Sequence, residues 1–226
     1  GTGKTFTGAR MICDLVRRGR KVGITATGHK VIRNLLDAVA REAARQQIDV
    51  RLGHRRSADD EAVASGGPEV YGDNAAPLAA LSHGAVDVVG GTAWLWARPE
   101  YATSVDVLVV DEAGQMSLAN VLAVSQAAES LVLLGDPRQL EQPQKGSHPD
   151  GIGVSALDHV LGADKTMPAR RGIFLPVTWR LAQASQSAQA PLLPPAGMEV
   201  APRPSPGLQP PAEASTPAAT TTTTTT

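Results

Sequence analysis

The sequence is poor in cysteine, in aromatic residues and in net charge. Cys13 is the single cysteine among 226 residues, which excludes an internal disulfide and favours a reducing compartment. Aromatic residues make up 3% of the chain, so a core must be built mainly from valine, leucine, isoleucine and alanine. A formal net charge of −1 gives no global basic field, although a local basic groove is compatible with it.

Long apolar runs are also missing, and none approaches the roughly 18 residues that a membrane-spanning helix needs. The start of the sequence has no signal-peptide pattern and lies inside a motif instead. We therefore expect a soluble cytoplasmic protein without membrane contact.

A short apolar run ends at two carboxylates near the middle of the chain. Residues 105–110 are rich in valine, which is typical of a buried parallel strand, and Asp111 and Glu112 follow directly. Open α/β sheets place their ligands at the carboxyl ends of parallel strands. The run therefore predicts an α/β fold with a ligand site at these two acids.

The first five residues match the second half of a phosphate-binding loop. They are Gly1, Thr2, Gly3, Lys4 and Thr5. In the pattern G-x-x-x-x-G-K-[ST], backbone N–H groups and the lysine hold nucleotide phosphates, and the hydroxyl group binds Mg²⁺. Apolar spacing over residues 6–18 predicts the helix that this motif requires, whose N-terminal dipole favours phosphate. We therefore predict ATP and Mg²⁺ as cofactors.

Further segments have the patterns of alternating strands and helices. We predict strands at 21–26, 85–90, 130–134 and 173–177, and helices at 30–45 and 118–128. Residues 51–74 are polar and contain several glycines, so they are interpreted as a surface loop or a small insertion.

Two tryptophans, Trp94 and Trp96, stand close together in a chain with few aromatic residues. They could form a platform on which nucleic-acid bases stack, or they could pack at the edge of the hydrophobic core. We favour packing, which we call the structural interpretation. Taken by themselves, Thr27 and His29 have the character of turn and cap residues.

The composition changes after Arg180. Glutamine, alanine and serine dominate residues 182–190, proline then becomes frequent, and the chain closes on a threonine run. Such a segment buries too little apolar surface to offset its chain entropy, so we predict a folded domain at 1–181 and a disordered tail at 182–226. The abrupt change also suggests a frameshift or a truncation.

Four motifs, in order, resemble motifs I to IV of superfamily 1 helicases. They are Gly-Thr-Gly-Lys-Thr at 1–5, Asp-Glu-Ala-Gly-Gln at 111–115, Gly-Asp-Pro-Arg-Gln-Leu at 135–140 and Trp-Arg at 179–180. The second motif resembles the branch that contains RNA-surveillance helicases and nuclease-linked replication helicases. Residues 146–162 are similar to bacterial proteins that fuse such a motor to a RecB-like nuclease. The resemblance implies a RecA-like P-loop NTPase domain with a mostly parallel sheet.

The motifs assign roles at the nucleotide. Lys4 would neutralise charge on the β- and γ-phosphates, and Thr5 with Asp111 would hold Mg²⁺. Glu112 would be the general base that polarises the attacking water. The resemblance implies that Gln139 senses the γ-phosphate.

Two residues of the last motif would complete the nucleotide site. Arg180 would stabilise charge in the transition state, which we favour over a surface charge because Trp-Arg stands at this distance past motif III, and Trp179 would stack on the adenine. Asp136 is interpreted as a turn cap rather than a metal ligand.

The resemblance also implies a nucleic-acid partner. Thr27, His29 and Thr92 match motifs Ia and Ic, which contact the backbone of single-stranded DNA or RNA and carry little sequence information. A fused nuclease domain in the parent protein is a further expectation.

Parts of the family pattern are missing from the sequence. The first glycine of the P-loop, the strand before it and a second RecA-like domain with its arginine finger are absent. We expect the missing strand to belong between the strands of motifs II and III, so that its loss leaves unpaired backbone in mid-sheet. A protein of these residues alone would then fold poorly and hydrolyse no ATP above background.

The sequence favours an ATP-dependent motor that moves 5′ to 3′ on single-stranded nucleic acid, as the resemblance implies. A P-loop kinase or other small NTPase is the alternative enzyme. A catalytically inert fragment or passive binding module is the alternative without turnover.

Overall fold

The computed structural model describes residues 3–56, 67–136, 154–164 and 167–175. The strands are β1 Val22–Thr25, β2 Leu52–Arg55, β3 Glu69–Tyr71, β4 Val88–Gly90, β5 Val105–Asp111 and β6 Ala128–Leu134. The helices are α1 Lys4–Arg17, α2 His29–Gln46, α3 Ala75–Ser82, α4 Ala93–Trp96, α5 Leu118–Ser125 and α6 Ala156–Leu161, with a 3₁₀ helix at Pro99–Tyr101.

The six strands form one parallel sheet in the order β3-β2-β4-β1-β5-β6. Because every strand runs in the same direction, all six carboxyl ends lie at one edge of the sheet, which we call the carboxyl edge. The α/β class and the RecA-like parallel sheet predicted from the sequence are confirmed.

Both faces of the sheet are covered, as a parallel sheet requires. Neighbouring residues of a strand point to opposite faces, and Val109 and Leu108 of β5 accordingly belong to two different core clusters. Helices α1 and α2 pack on the face of Val109, and their apolar stripes supply most of that cluster. The opposite face packs against α5 and the segment that contains α4 and the 3₁₀ helix.

The strands of motifs II and III, β5 and β6, are direct neighbours. They pair in register from Val105↔Ala128 to Asp111↔Leu134. The expectation that a missing strand belongs between them is therefore wrong, because strand order is decided by packing between distant segments and not by local pattern. Poor folding was predicted from unpaired backbone in mid-sheet, and that reason no longer holds, since these six strands pair without interruption.

Most predicted elements appear close to their expected positions, and two of the interpretations differ from the structure. Residues 51–74, interpreted as a loop, contain β2 and β3, which extend the sheet beyond β4. Residues 173–175 are not in a strand, and the rest of that predicted strand lies outside the described residues. The predicted tail at 182–226 also lies outside them, so the domain boundary stays a prediction.

Candidate active site

The amino end of α1 and the carboxyl end of β5 supply the central residues of the site. Gly3 precedes the helix with φ of 81°, a left-handed conformation that glycine adopts without a Cβ penalty. Lys4 is the first residue of α1, and Thr5 follows on an exposed position. The predicted helix after the phosphate-binding loop is therefore present.

Asp111 is the last residue of β5 and is 5% exposed. Its burial raises the pKa of the carboxyl group to about 6, and the charge of Glu112 adds to this rise. The backbone N–H of Glu112, 2.9 Å from Asp111 Oδ1, and the Lys4 ammonium act in the opposite direction. A Cβ atom on Gly8 of α1 would lie 2.6 Å from Cδ1 of Leu134, the last residue of β6, so the first turns of α1 lie beside the carboxyl edge, and the charge of Lys4 acts on Asp111.

Glu112 has a strained backbone and a carboxylate oxygen without a hydrogen-bond partner. Its φ is 54°, in the left-handed region that residues other than glycine rarely adopt. Its Oε2 is buried and accepts no hydrogen bond from the part of the chain that the structure describes. Strained residues with unsatisfied polar atoms concentrate at functional sites, where a ligand or water completes the bonding.

The backbones of the turn after β5 and the turn after β6 are in close contact. A Cβ atom on Gly114 would lie 2.6 Å from the backbone oxygen of Asp136, and one on Gly135 would lie 2.9 Å from the nitrogen of Gly114. The N–H of Ala113 donates to the carbonyl of Leu134 at 2.8 Å. Glycine at both positions therefore lets the motif III segment approach the two acids.

The residues present fit a magnesium nucleotide. A buried carboxylate at Asp111 is a hard oxygen ligand suited to Mg²⁺, and the orphaned oxygen of Glu112 can accept a hydrogen bond from water. Lys4 supplies positive charge beside them. The structure places Asp111 and Glu112 at the end of β5, where the charge of Lys4 acts on Asp111. Gly1, Thr2, Gln139, Trp179 and Arg180 lie outside the described residues, so their roles stay predictions.

Thr27, His29 and Thr92 lie farther along the same carboxyl edge. Thr27 lies between β1 and α2, His29 begins α2, and Thr92 precedes α4. His29 Nδ1 is 3.2 Å from Nε2 of His54, a 2% exposed residue of β2 that the sequence did not single out. The local pattern around His54 favours a loop, so no sequence signal places this residue in the sheet.

The two tryptophans have different environments. Trp96 is fully buried, and its Nε1–H lies 3.1 Å from the carbonyls of both Ile24 and Gly91. Trp94 is 87% exposed. Two residues are about 200° apart around a helix, so α4 cannot bury both side chains against one core. The structural interpretation is confirmed for Trp96 and wrong for Trp94.

A phosphate-binding helix start, two acids at the end of a neighbouring strand and a parallel sheet together define a P-loop nucleotide-binding ATPase domain. The sequence model of the AAA domain family matches residues 1–161, and the chain belongs to this family. A search of curated proteins finds no match. Within the described ranges, none of the helices combines the length and apolarity needed to cross a membrane.

Proposed function

We propose that the chain is the ATP-hydrolysing domain of a motor that moves along single-stranded nucleic acid. The observation that supports the proposal is the placement of Lys4 at the start of α1 and of Asp111 and Glu112 at the end of β5, at the carboxyl edge of a parallel sheet. The order of the four helicase-like motifs supports a motor over other ATPases. Movement from 5′ to 3′ is the direction that the resemblance favours.

At the nucleotide, Lys4 would bind phosphate oxygens, and Thr5 with Asp111 would hold Mg²⁺. Bound Mg²⁺ would neutralise charge on the phosphates. Asp111 would then be ionised, because a neighbouring cation favours the charged carboxylate over the protonated form that burial favours.

Glu112 would act on the water that attacks the γ-phosphorus. Its orphaned Oε2 would accept the hydrogen bond of that water and take its proton as the bond from phosphorus to the ADP oxygen breaks. Because Asp111 is committed to the cation, the two adjacent acids have separate roles. Gln139 would sense the γ-phosphate, Arg180 would stabilise the transition state, and Trp179 would stack on the adenine.

The partners proposed for the motor are single-stranded DNA or RNA, with Thr27, His29 and Thr92 at the contact. A fused nuclease domain in the parent protein is part of the same proposal. The competing function is that of a kinase or small NTPase, which would hydrolyse or transfer phosphate without responding to nucleic acid.

The test compares phosphate release and nucleotide binding by the complete gene product, with and without single-stranded DNA. DNA should stimulate hydrolysis, Glu112→Gln should reduce turnover by at least about 100-fold with ATP still bound, and Lys4→Ala should weaken nucleotide binding itself. Hydrolysis that ignores DNA and RNA would favour the small NTPase. Turnover at the wild-type rate in Glu112→Gln would remove this residue from its role.

A further inference from the structure

Beyond the nucleotide site, the ends of β2 and β4 and the start of α2 supply three cations and an exposed indole along one part of the carboxyl edge. We call Lys30, Arg55, Arg56 and Trp94 the basic aromatic edge. His54 pairs with Gly90, so Arg55, the last residue of β2, and Arg56, which follows it, come at the level of Gly91 and Thr92. Parallel neighbours lie about 4.8 Å apart, which keeps these residues together.

Lys30 reaches this region from the next strand along the sheet. Ile24 of β1 also pairs with Gly90, and the N–H of Gly91 donates to the carbonyl of Ile24 at 2.9 Å. The chain then enters α2, whose first residue, His29, is bonded to His54 of β2. Lys30 is exposed and follows directly, so α2 begins beside the end of β2.

Trp94 is exposed but its backbone is well anchored. The residues that follow it, Leu95 and Trp96, are 3% and 0% exposed, and the N–H of Leu95 donates to the carbonyl of Thr92 at 2.9 Å. An indole on such a fixed support offers a large flat face at little further cost in conformational entropy. This geometry is suited to stacking on a planar partner.

Arg55 is positioned before any ligand arrives. Arg55 Nε donates to Asn74 Oδ1 at 2.7 Å, and the backbone carbonyl of Asn74 accepts the hydroxyl hydrogen of the buried Tyr101 at 2.7 Å. The Nε atom of Arg56 is buried, and no hydrogen bond within the described ranges engages it. Phosphate oxygens are well matched to arginine donors held in this way.

The charge of Asp73 interacts with that of Arg55, but its carboxylate is already engaged by backbone N–H groups. Asp73, which follows β3, accepts the backbone N–H groups of Ala75 and Ala76, each at 2.8 Å. These bonds lower the pKa of Asp73, and its carboxylate satisfies two backbone N–H groups in the first turn of α3. The three cations of the basic aromatic edge therefore outnumber this acid.

We propose that the basic aromatic edge binds single-stranded nucleic acid, with a base stacked on Trp94 and phosphates held by Arg55, Arg56 and Lys30. The inference rests on the proposed function and adds the residues that contact the base face and the phosphate backbone. Stacking on an aromatic side chain beside backbone-tracking cations is how proteins bind single strands without sequence preference. Duplex DNA would not expose a base face to Trp94.

The experiment measures fluorescence anisotropy of labelled dT₁₂, rU₁₂ and an abasic 12-mer with the complete gene product. Trp94→Ala should weaken binding of dT₁₂ and rU₁₂ by about 5- to 100-fold, while Trp94→Phe should retain most of the affinity. The affinity for the abasic strand, which has phosphates but no bases, should not change in Trp94→Ala. Leu122→Ala removes a 62% exposed apolar side chain from α5 and is the matched control.

Loss of an arginine contact should affect binding differently from loss of Trp94. Arg56→Gln should weaken binding of normal and abasic strands alike and reduce the slope of log affinity against log salt by about 0.7, the value for one phosphate contact on a single strand. Arg41→Ala removes an exposed arginine near the other end of α2 and should leave the slope unchanged.

The outcomes separate this inference from the proposed function. Suppose that the wild-type protein hydrolyses ATP in response to DNA. If Trp94→Ala then lowers the affinity for normal and abasic strands equally, or lowers neither affinity, the stacking role is overturned and the motor function stands. If the wild-type protein neither binds nor hydrolyses ATP, the proposed function itself fails. MgATP affinity without nucleic acid should be the same in wild type and Trp94→Ala, which shows that the nucleotide site is intact.

Discussion

At the scale of single residues, the two acids after β5 are held in environments that oppose folding. Asp111 is a buried carboxyl group, and Glu112 combines a left-handed backbone with an unsatisfied oxygen. Both features cost free energy in the absence of a ligand. A domain that tolerates them at adjacent positions gives up folding free energy where the chemistry is proposed.

Asp111 should make the stability of the metal-free protein fall as pH rises. Its pKa is raised in the folded state from 3.8 to about 6, so the folded protein holds this proton more tightly than the unfolded chain does. The free energy of unfolding should therefore decrease between about pH 4 and pH 6, by at most about 3 kcal/mol. Denaturant melts of wild type and Asp111→Asn in EDTA check this, because the asparagine variant should lack that decrease. Parallel pH curves for the two proteins would contradict it.

Glu112 should reverse the usual order of alanine and glycine. At an ordinary helix or strand position glycine is less stable than alanine by about 0.5–1 kcal/mol, but at φ of 54° alanine carries the steric penalty of about 1–2 kcal/mol. We expect Glu112→Gly to have a higher Tm than Glu112→Ala, with hydrolysis lost in both. The same pair of substitutions at Arg41, within α2, should give the opposite order. A higher Tm for alanine at both positions would show that the turn relaxes.

At the scale of elements, the contact between the turns after β5 and β6 is set by two glycines. Because a Cβ atom at position 114 would meet backbone rather than a flexible side chain, Gly114→Ala must displace one of the two turns. We expect a loss of about 1–3 kcal/mol in thermal or denaturant melts, together with weaker MgATP binding. Gly72→Ala is the matched control, since no atom beyond its two chain neighbours lies within 4 Å of its Cβ position. Equal stability of the two variants would mean that the contact is loose.

The elements also show which features local sequence could predict. The valine-rich run of β5 and the helical spacing of α1 and α2 are strong local signals, and they predict these elements correctly. Strand β2 reads Leu-Gly-His-Arg, with a single large apolar residue, and is buried only because β3 and β4 flank it. Because β2 was not predicted, His54 was not recognised as a residue of the sheet.

The candidate site likewise has some features that the sequence predicted and others that it did not. The motif spacing predicted Lys4, Asp111 and Glu112, because phosphate and metal chemistry demands those residue types. The positive φ of Glu112 and the raised pKa of Asp111 arise from tertiary packing, which no local pattern contains. Similarly, only the rotational position of α4 distinguishes the exposed Trp94 from the buried Trp96.

At the scale of the molecule, the all-parallel sheet has a consequence for how the chain reaches its fold. Parallel neighbours cannot form a hairpin, and Val22 at the start of β1 pairs with both Val88 and Val107, which are remote in sequence. The entropy of closing those long loops must be lost before the central contacts form, so folding should be slow compared with that of a helical bundle of similar size. During that delay the valine-rich segments of β4 and β5 remain open to association with other chains, and the crowding of a synthesising cell makes that interval a hazard.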